Sequence, residues 1–144
     1  MIRLLVMSCL LAAAQETTPP DVVNFLRDVG TDLANAHPDP FKHPDLTARQ
    51  FLDHFDPAMP GFTTLRGYVE ELTARVEVGS AIEVASESGD DRKREMQLDW
   101  VLELRDDTLN QDKPPRRQLI KCTIEKKGKK WKFVAFDPID FFKY

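Results

Sequence analysis

The stretch that decides the fold class is Glu95–Leu104, which reads Glu-Met-Gln-Leu-Asp-Trp-Val-Leu-Glu-Leu. Apolar and polar residues alternate with a period of two, as in a strand with one buried face. Such alternation is typical of antiparallel sheets, which have one packed face and one solvated face. A slip of one residue would reverse the whole set, so the register is strongly specified. We therefore predict that Asp99 and Glu103 point away from the interior, and that the inward set is Met96, Leu98, Trp100, Leu102 and Leu104.

Three further segments with strand character surround this one. Residues 82–87 precede it, with Ile82, Val84 and Ser86 on one face and Glu83, Ala85 and Glu87 on the other. A turn at 88–91, a polar loop at 106–117 and a turn at 126–130 separate the strands, because such runs rich in glycine, proline and charge interrupt regular structure. The sequence therefore predicts a four-stranded antiparallel meander, whose last two strands are 120–125 and 131–136. In the first of these, Cys122 is expected to be a buried small hydrophobic residue.

The chain before the strands carries helical periodicity. Pro19 and Pro20 suit the first turn of a helix, with Thr18 as its cap, and the apolar residues that follow recur every three or four positions. Pro38 and Pro40 end this helix near His37. A helical half followed by a strand half predicts an α+β domain.

Two more helices are expected before the strands. The second begins after Asp45 or Thr47 and ends at Asp56–Pro57, and the third begins near Pro60–Gly61. Gly67 lies inside the third helix, where glycine costs about 1 kcal/mol relative to alanine. We expect that it permits close packing.

The first fourteen residues have the pattern of an export signal. Arg3 precedes an apolar run that ends in Ala12 and Ala14, so cleavage is expected near Ala14–Gln15, leaving a single domain over 15–144. The run is too short to span a bilayer. Cys9 leaves open a lipid anchor, although the apolar run continues past it. The sequence therefore predicts an exported protein, periplasmic or secreted, without a membrane span.

The order and the lengths of these elements resemble those of the nuclear transport factor 2-like superfamily. The segments that carry the resemblance are Phe51–Gly61, Leu98–Glu103 and Trp131–Pro138, which are similar to uncharacterised exported bacterial members. The resemblance implies N-terminal helices packed on a curved antiparallel sheet of about four strands, in the shape of a cone. It implies no chemistry, because one fold supports many functions.

The densest set of polar functional side chains lies before the third helix. Histidine and carboxylate together can bind a metal or transfer protons, but no spacing here matches a strong motif. An isomerase-like mechanism would also need an oxyanion donor, and the first-helix tyrosine that serves as this donor in ketosteroid isomerase is absent here. We therefore assign no catalytic, metal or cofactor residue and expect no cofactor. The cluster comprises His37, Asp39, His43, Asp45, Asp53, His54 and Asp56.

The sequence favours a binding protein over an enzyme. Its formal net charge of −4 argues against nucleic acid as a partner, and its basic stretches Arg92–Arg94, Arg116–Arg117 and Lys126–Lys130 are expected to be solvated. The leading hypothesis is a domain that binds a small apolar ligand or a protein partner, with a possible homodimer through the sheet. The alternative is an isomerase- or cyclase-like enzyme that uses the cone cavity. An inward-facing ionisable residue would favour the enzyme, and a filled apolar cone would favour binding through the surface.

Phe141 and Phe142 either cover the open end of the cone or join a dimer interface. The candidate pocket-lining residues are Trp100, Phe25, Phe55, Tyr68 and Phe133.

Overall fold

A computed structural model describes residues 18–36, 48–106 and 111–144. Helices come first and strands second, so the predicted α+β fold class is confirmed. A short 3-10 helix, Ile139–Phe142, follows the last strand. The other elements are α1 (Pro20–Ala34), α2 (Arg49–Leu52), α3 (Phe62–Arg75), β1 (Glu77–Gly89), β2 (Lys93–Asp106), β3 (Gln111–Asp112), β4 (Arg116–Lys127) and β5 (Lys130–Asp137).

The sheet is an antiparallel meander in the order β1-β2-β4-β5, as the sequence predicts. It is curved and unclosed, and the helices pack on its concave face. The short β3 pairs only with the end of β2, within the segment predicted as a polar loop. There the Nη1 atom of Arg105 lies 3.1 Å from the Oδ1 atom of Asp112.

The predicted register of β2 is confirmed. Met96, Leu98, Trp100, Leu102 and Leu104 are all buried against the helices. Glu103 is exposed, and Asp99 lies on the outer face, where Arg117 donates from Nε to its Oδ1 over 2.9 Å. This hydrogen bond from the guanidinium lowers the pKa of Asp99.

A β-bulge in β1 changes which side chains face the interior. Val84 pairs with Leu98 and Ser86 with Gln97, so Ala85 is the extra residue. Beyond Ala85, side chains that the unbroken alternation would point outward point inward, and the reverse, because one extra residue shifts the alternation along the strand. Glu87 is turned inward with its side chain only 6% exposed, and it lies 3.3 Å from Nη2 of Arg94. The predicted alternation is therefore wrong after Val84.

Helix α1 lies against β1 and buries Val22, Phe25, Leu26, Val29 and Leu33. Pro20 occupies its first turn as predicted. The N-cap is Pro19, without a side-chain hydrogen bond, so the cap predicted at Thr18 is wrong. The helix ends at Ala34, and the predicted end at His37 lies outside the described residues.

The chain between α2 and α3 ties the helices to the sheet. Phe133 of β5 donates its N–H to the carbonyl of His54 over 2.8 Å and accepts from the N–H of Asp56 over 2.9 Å. Oδ1 of Asp56 accepts from the N–H of Ala58, which closes a turn at Asp56–Pro57, where the sequence predicts the end of the second helix. Helix α3 then begins after Gly61, whose φ of 79° favours glycine.

Gly67 does not permit close packing, contrary to the prediction. A Cβ built at this exposed position would have no neighbour within 4 Å.

Candidate functional site

The five candidate pocket residues lie at the interior formed by the helices and the concave face of the sheet. Trp100, Phe25, Phe55 and Phe133 are buried, and Tyr68 packs half-buried at the margin. The ring of Phe133 lies 4.9 Å from that of Phe55 and 5.2 Å from that of Phe25, between centroids. These side chains pack against one another in the core. That any of them contacts a ligand stays a prediction.

The 3-10 helix fills the remaining space in this interior. Phe141 and Phe142 are 1% and 0% exposed, so they lie inside the fold. The ring of Phe142 lies 5.5 Å from each of Trp100, Phe136 and Phe51, and it stacks on Phe136 at 27°. In this structure the chain's own side chains therefore occupy the apolar space.

The buried indole of Trp100 forms a hydrogen bond with Ser80. Its Nε1 donates to Oγ of Ser80 over 2.7 Å. This bond matters because a buried N–H without a partner is costly.

A charged cleft of about 690 Å³ separates α1 from the β4–β5 hairpin. Asp32 of α1 and His54, which follows α2, meet in it, with Nε2 of His54 2.6 Å from Oδ2 of Asp32. Their side chains are 25% and 19% exposed. The ring of Phe25 packs on the imidazole in a T-shaped arrangement, with the ring centroids 5.6 Å apart. A neutral His54 that donates from Nε2 has Nδ1 left as an acceptor, which is the form of a general base.

At its other end, this cleft is crossed by contacts to Asp21. Trp131 donates from Nε1 to Asp21 over 2.9 Å, and Nζ of Lys126 lies 3.4 Å from the same carboxylate. The hydrogen bond from Trp131, followed by the contact with Lys126, lowers the pKa of Asp21. Among the described residues, those that line the cleft include no serine, threonine or cysteine.

A second depression, about 600 Å³, lies on the opposite side of α1; we call it the α1–β1 groove. β1 forms one edge of the sheet and, among the described strands, pairs only with β2. Gly30 of α1 lies close to β1 across the groove. A Cβ built there would lie 3.8 Å from Cδ1 of Ile82 and from Oγ of Ser80. Val23, at 42% exposure, is one of the few large apolar side chains left open to solvent. The groove is lined mostly by small and apolar residues, among them Val23, Leu26, Gly30, Ala34, Ile82 and Val84.

Only part of the predicted polar cluster can be placed. His37, Asp39, His43 and Asp45 lie outside the described residues. Within the described ranges, no three histidine, cysteine or acidic side chains come together as a metal site would require. The partner of His54, Asp32, lies 22 residues earlier in the chain, and no local motif links the two positions.

Cys122 is buried at 3% exposure, which confirms the prediction for this residue. Burial raises the pKa of its thiol to about 12, so it is not a nucleophile near neutral pH.

Arg94 and Arg116 lie in two of the basic stretches expected to be solvated, and both contact groups of the interior. Arg94 is buried at 8% exposure and pairs with Glu87. Arg116 donates from Nη1 to the carbonyl of Phe141 over 2.5 Å. For Arg94 the prediction of a solvated turn is therefore wrong.

Comparison with known proteins gives a likeness of fold. No family model matches the chain, and no curated protein matches it by sequence. Among solved structures, Rv3472 of Mycobacterium tuberculosis, described as of unknown function, superposes with a TM-score of 0.61 at 10% identity, covering 81% of this chain and 67% of that one.

Two further solved structures are similar. Bd1075 of Bdellovibrio bacteriovorus gives a TM-score of 0.59 at 10% identity over 81% of this chain, which spans only 39% of the Bdellovibrio protein. A designed protein of the Rd1NTF2 series gives 0.53 at 10% identity, covering 79% of this chain and 92% of the design. Identities this low show a shared fold and carry no statement about function. Among the described residues, no helix is long and apolar enough to cross a membrane.

Proposed function

We propose that this chain, which has the nuclear transport factor 2-like fold, is an exported, non-catalytic domain that binds a protein partner through its surface. The observation that carries the proposal is the filled interior. Phe141 and Phe142 occupy the space that a small apolar ligand would need. Binding to the protein in this conformation therefore uses the outside of the fold.

The α1–β1 groove is the surface that we propose for this partner. An edge strand presents unpaired backbone N–H and C=O groups, which an extended segment of another protein can pair with. β1 is 13 residues long, and the groove beside it offers apolar space for the side chains of such a segment. Backbone pairing supplies affinity in this mode, and the groove supplies selectivity.

A matched pair of variants at Gly30 tests this surface. Gly30→Leu fills the groove, whereas Gly30→Ala adds one methyl group at ordinary contact distance from Ile82 and Ser80. The probes are synthetic peptides of about eight residues with alternating apolar and polar positions, and proline-interrupted versions as negative controls. We expect at least one peptide to bind the parent and Gly30→Ala about equally and Gly30→Leu at least about tenfold more weakly. Equal binding to both variants, or no binding by any peptide, would remove the groove as the site.

Export rests on the leader at 1–14, which lies outside the described residues. The protein recovered from its native host should begin at Gln15 or within a residue or two of it, by mass spectrometry. An intact Met1 contradicts export, and an acylated Cys9 replaces release with a lipid anchor.

The outer face of the sheet is the surface proposed for a second copy of the chain. Leu119 is 53% exposed there, beside the Asp99–Arg117 ion pair. Sedimentation velocity of the parent and of Leu119→Glu checks this proposal; a dimer that Leu119→Glu leaves intact uses another face.

The alternative function is an acid–base enzyme, and the His54–Asp32 pair is the observation that favours it. This pair lies in the charged cleft rather than in the cone cavity. Under the leading proposal, His54→Ala keeps peptide binding and loses only about 1–2 kcal/mol of stability. A His54→Ala variant that melts like the parent but loses at least about a hundredfold in a measured turnover rate would establish the enzyme instead.

A further inference from the structure

The segment Ile139–Tyr144, which we call the strap, buries the side chains of Phe141 and Phe142 in the fold, whereas Asp140, Lys143 and Tyr144 are exposed. Its backbone hydrogen bonds are local: the N–H of Phe141 donates to the carbonyl of Pro138, and the N–H of Lys143 donates to that of Asp140. Among the described residues, no backbone–backbone hydrogen bond joins the strap to the sheet or to a helix. The strap is therefore held in place by side-chain contacts rather than by backbone pairing with the sheet or the helices.

Side chains of the body hold the strap from outside, and we call these contacts the latch. Arg116 donates from Nη1 to the carbonyl of Phe141 over 2.5 Å. Two cations contact the ring of Tyr144, with the guanidinium carbon of Arg75 at 4.7 Å and Nζ of Lys113 at 4.3 Å from its centroid. Lys113 also donates to the hydroxyl of Tyr144 over 3.0 Å.

We propose that the strap is a displaceable plug, and that its release opens a site for a planar apolar molecule of one or two rings. This inference goes beyond the proposed surface function, because it concerns the open form. The walls left behind include Trp100, Phe51 and Phe136, whose rings now surround Phe142. Such walls select flat apolar ligands, since an apolar cavity excludes water and accepts small hydrocarbons.

The direction in which ligand affinity changes when the latch is weakened distinguishes a displaceable plug from a permanent wall of the site. When only the open form binds, the apparent dissociation constant is the intrinsic constant divided by the open fraction. Weakening the latch raises the open fraction, so a plug predicts tighter ligand binding. If the strap were instead part of the binding site, the same change would weaken binding.

The experiment measures binding of the uncharged fluorescent probe N-phenyl-1-naphthylamine to the parent and to latch variants. Tyr144→Ala removes both cation–π contacts, and Arg116→Gln removes the charged donor to Phe141. We expect each to bind the probe about tenfold more tightly than the parent. Arg117→Gln is the matched control: it lies next along β4 but pairs with Asp99 on the outer face, so it should bind the probe like the parent.

Two further measurements keep each outcome decisive. Phe142→Ala vacates one ring position directly and should bind the probe even with the latch intact. Hydrogen exchange should show that the probe speeds exchange at Phe141 and Lys143 without changing it in β5. Tightening in the latch variants together with this exchange pattern supports the plug. If Phe142→Ala binds but the latch variants do not tighten, the interior accepts a ring but the strap does not leave, and the proposal is overturned. Equal tightening in Arg117→Gln overturns it as well.

Discussion

Replacing Ser80 by alanine tests whether the Trp100–Ser80 hydrogen bond stabilises the fold. Trp100 is fully buried, and its Nε1 donates to Oγ of Ser80 over 2.7 Å. Leaving a buried donor unpaired costs about 1–3 kcal/mol. Ser80 also lines the α1–β1 groove, so water reaches the vacated position and replaces part of the lost bond. We therefore expect Ser80→Ala to lower the free energy of unfolding by about 1 kcal/mol, the low end of that range.

The assay is urea unfolding of a double-mutant cycle with Trp100→Phe, which removes the donor. In the Trp100→Phe background, Ser80→Ala should cost close to nothing, so the coupling free energy is about 1 kcal/mol. Thermal melts should show a shift of about 3–4 °C for Ser80→Ala alone, as expected for a domain of roughly this size. A cost that is the same in both backgrounds would show that the hydrogen bond is not the cause. A cost within about 0.3 kcal/mol of zero in the parent would refute the bond's contribution altogether.

Three further predictions concern single residues. Gly67→Ala should raise the free energy of unfolding by about 1 kcal/mol in urea melts, because the position is exposed and an added Cβ meets no neighbour. The lowered pKa of Asp21 means that its contacts stabilise the fold above its unfolded pKa of about 3.9. Asp21→Asn should therefore be less stable than the parent near neutral pH, and the difference should shrink as the pH falls through the folded pKa; a constant difference from pH 7 to 2 would contradict the pairing. Cys122 should react with a thiol reagent only in denaturant, because the folded thiol is buried with a pKa of about 12.

The features that could be predicted from the sequence are those with a local repeat. Alternation along Glu95–Leu104 specified the register of β2, and the buried stripe of α1 follows its helical spacing. The turn at Asp56 was also predictable, because a short carboxylate before proline commonly accepts a nearby backbone N–H.

The candidate sites were harder to predict because they depend on contacts between distant parts of the chain. Asp32 meets His54 only after α1 and the segment following α2 have packed together. Trp131 reaches Asp21 across 110 positions, and nothing in either neighbourhood signals this. Phe141 and Phe142 have the composition of an interface as well as that of a core, so their composition alone could not distinguish the two roles.

The bulge at Ala85 has a consequence for how the β1–β2 hairpin tolerates insertions and deletions. Deleting this one residue would return the end of β1 to the other phase and turn Glu87 outward, leaving the guanidinium of Arg94 buried without its carboxylate. The tip of the hairpin also tolerates no side chain at Gly89, because a Cβ there would lie 2.2 Å from the carbonyl oxygen of Lys93. Length changes in this hairpin should therefore survive only when a second change restores the phase or removes the buried charge.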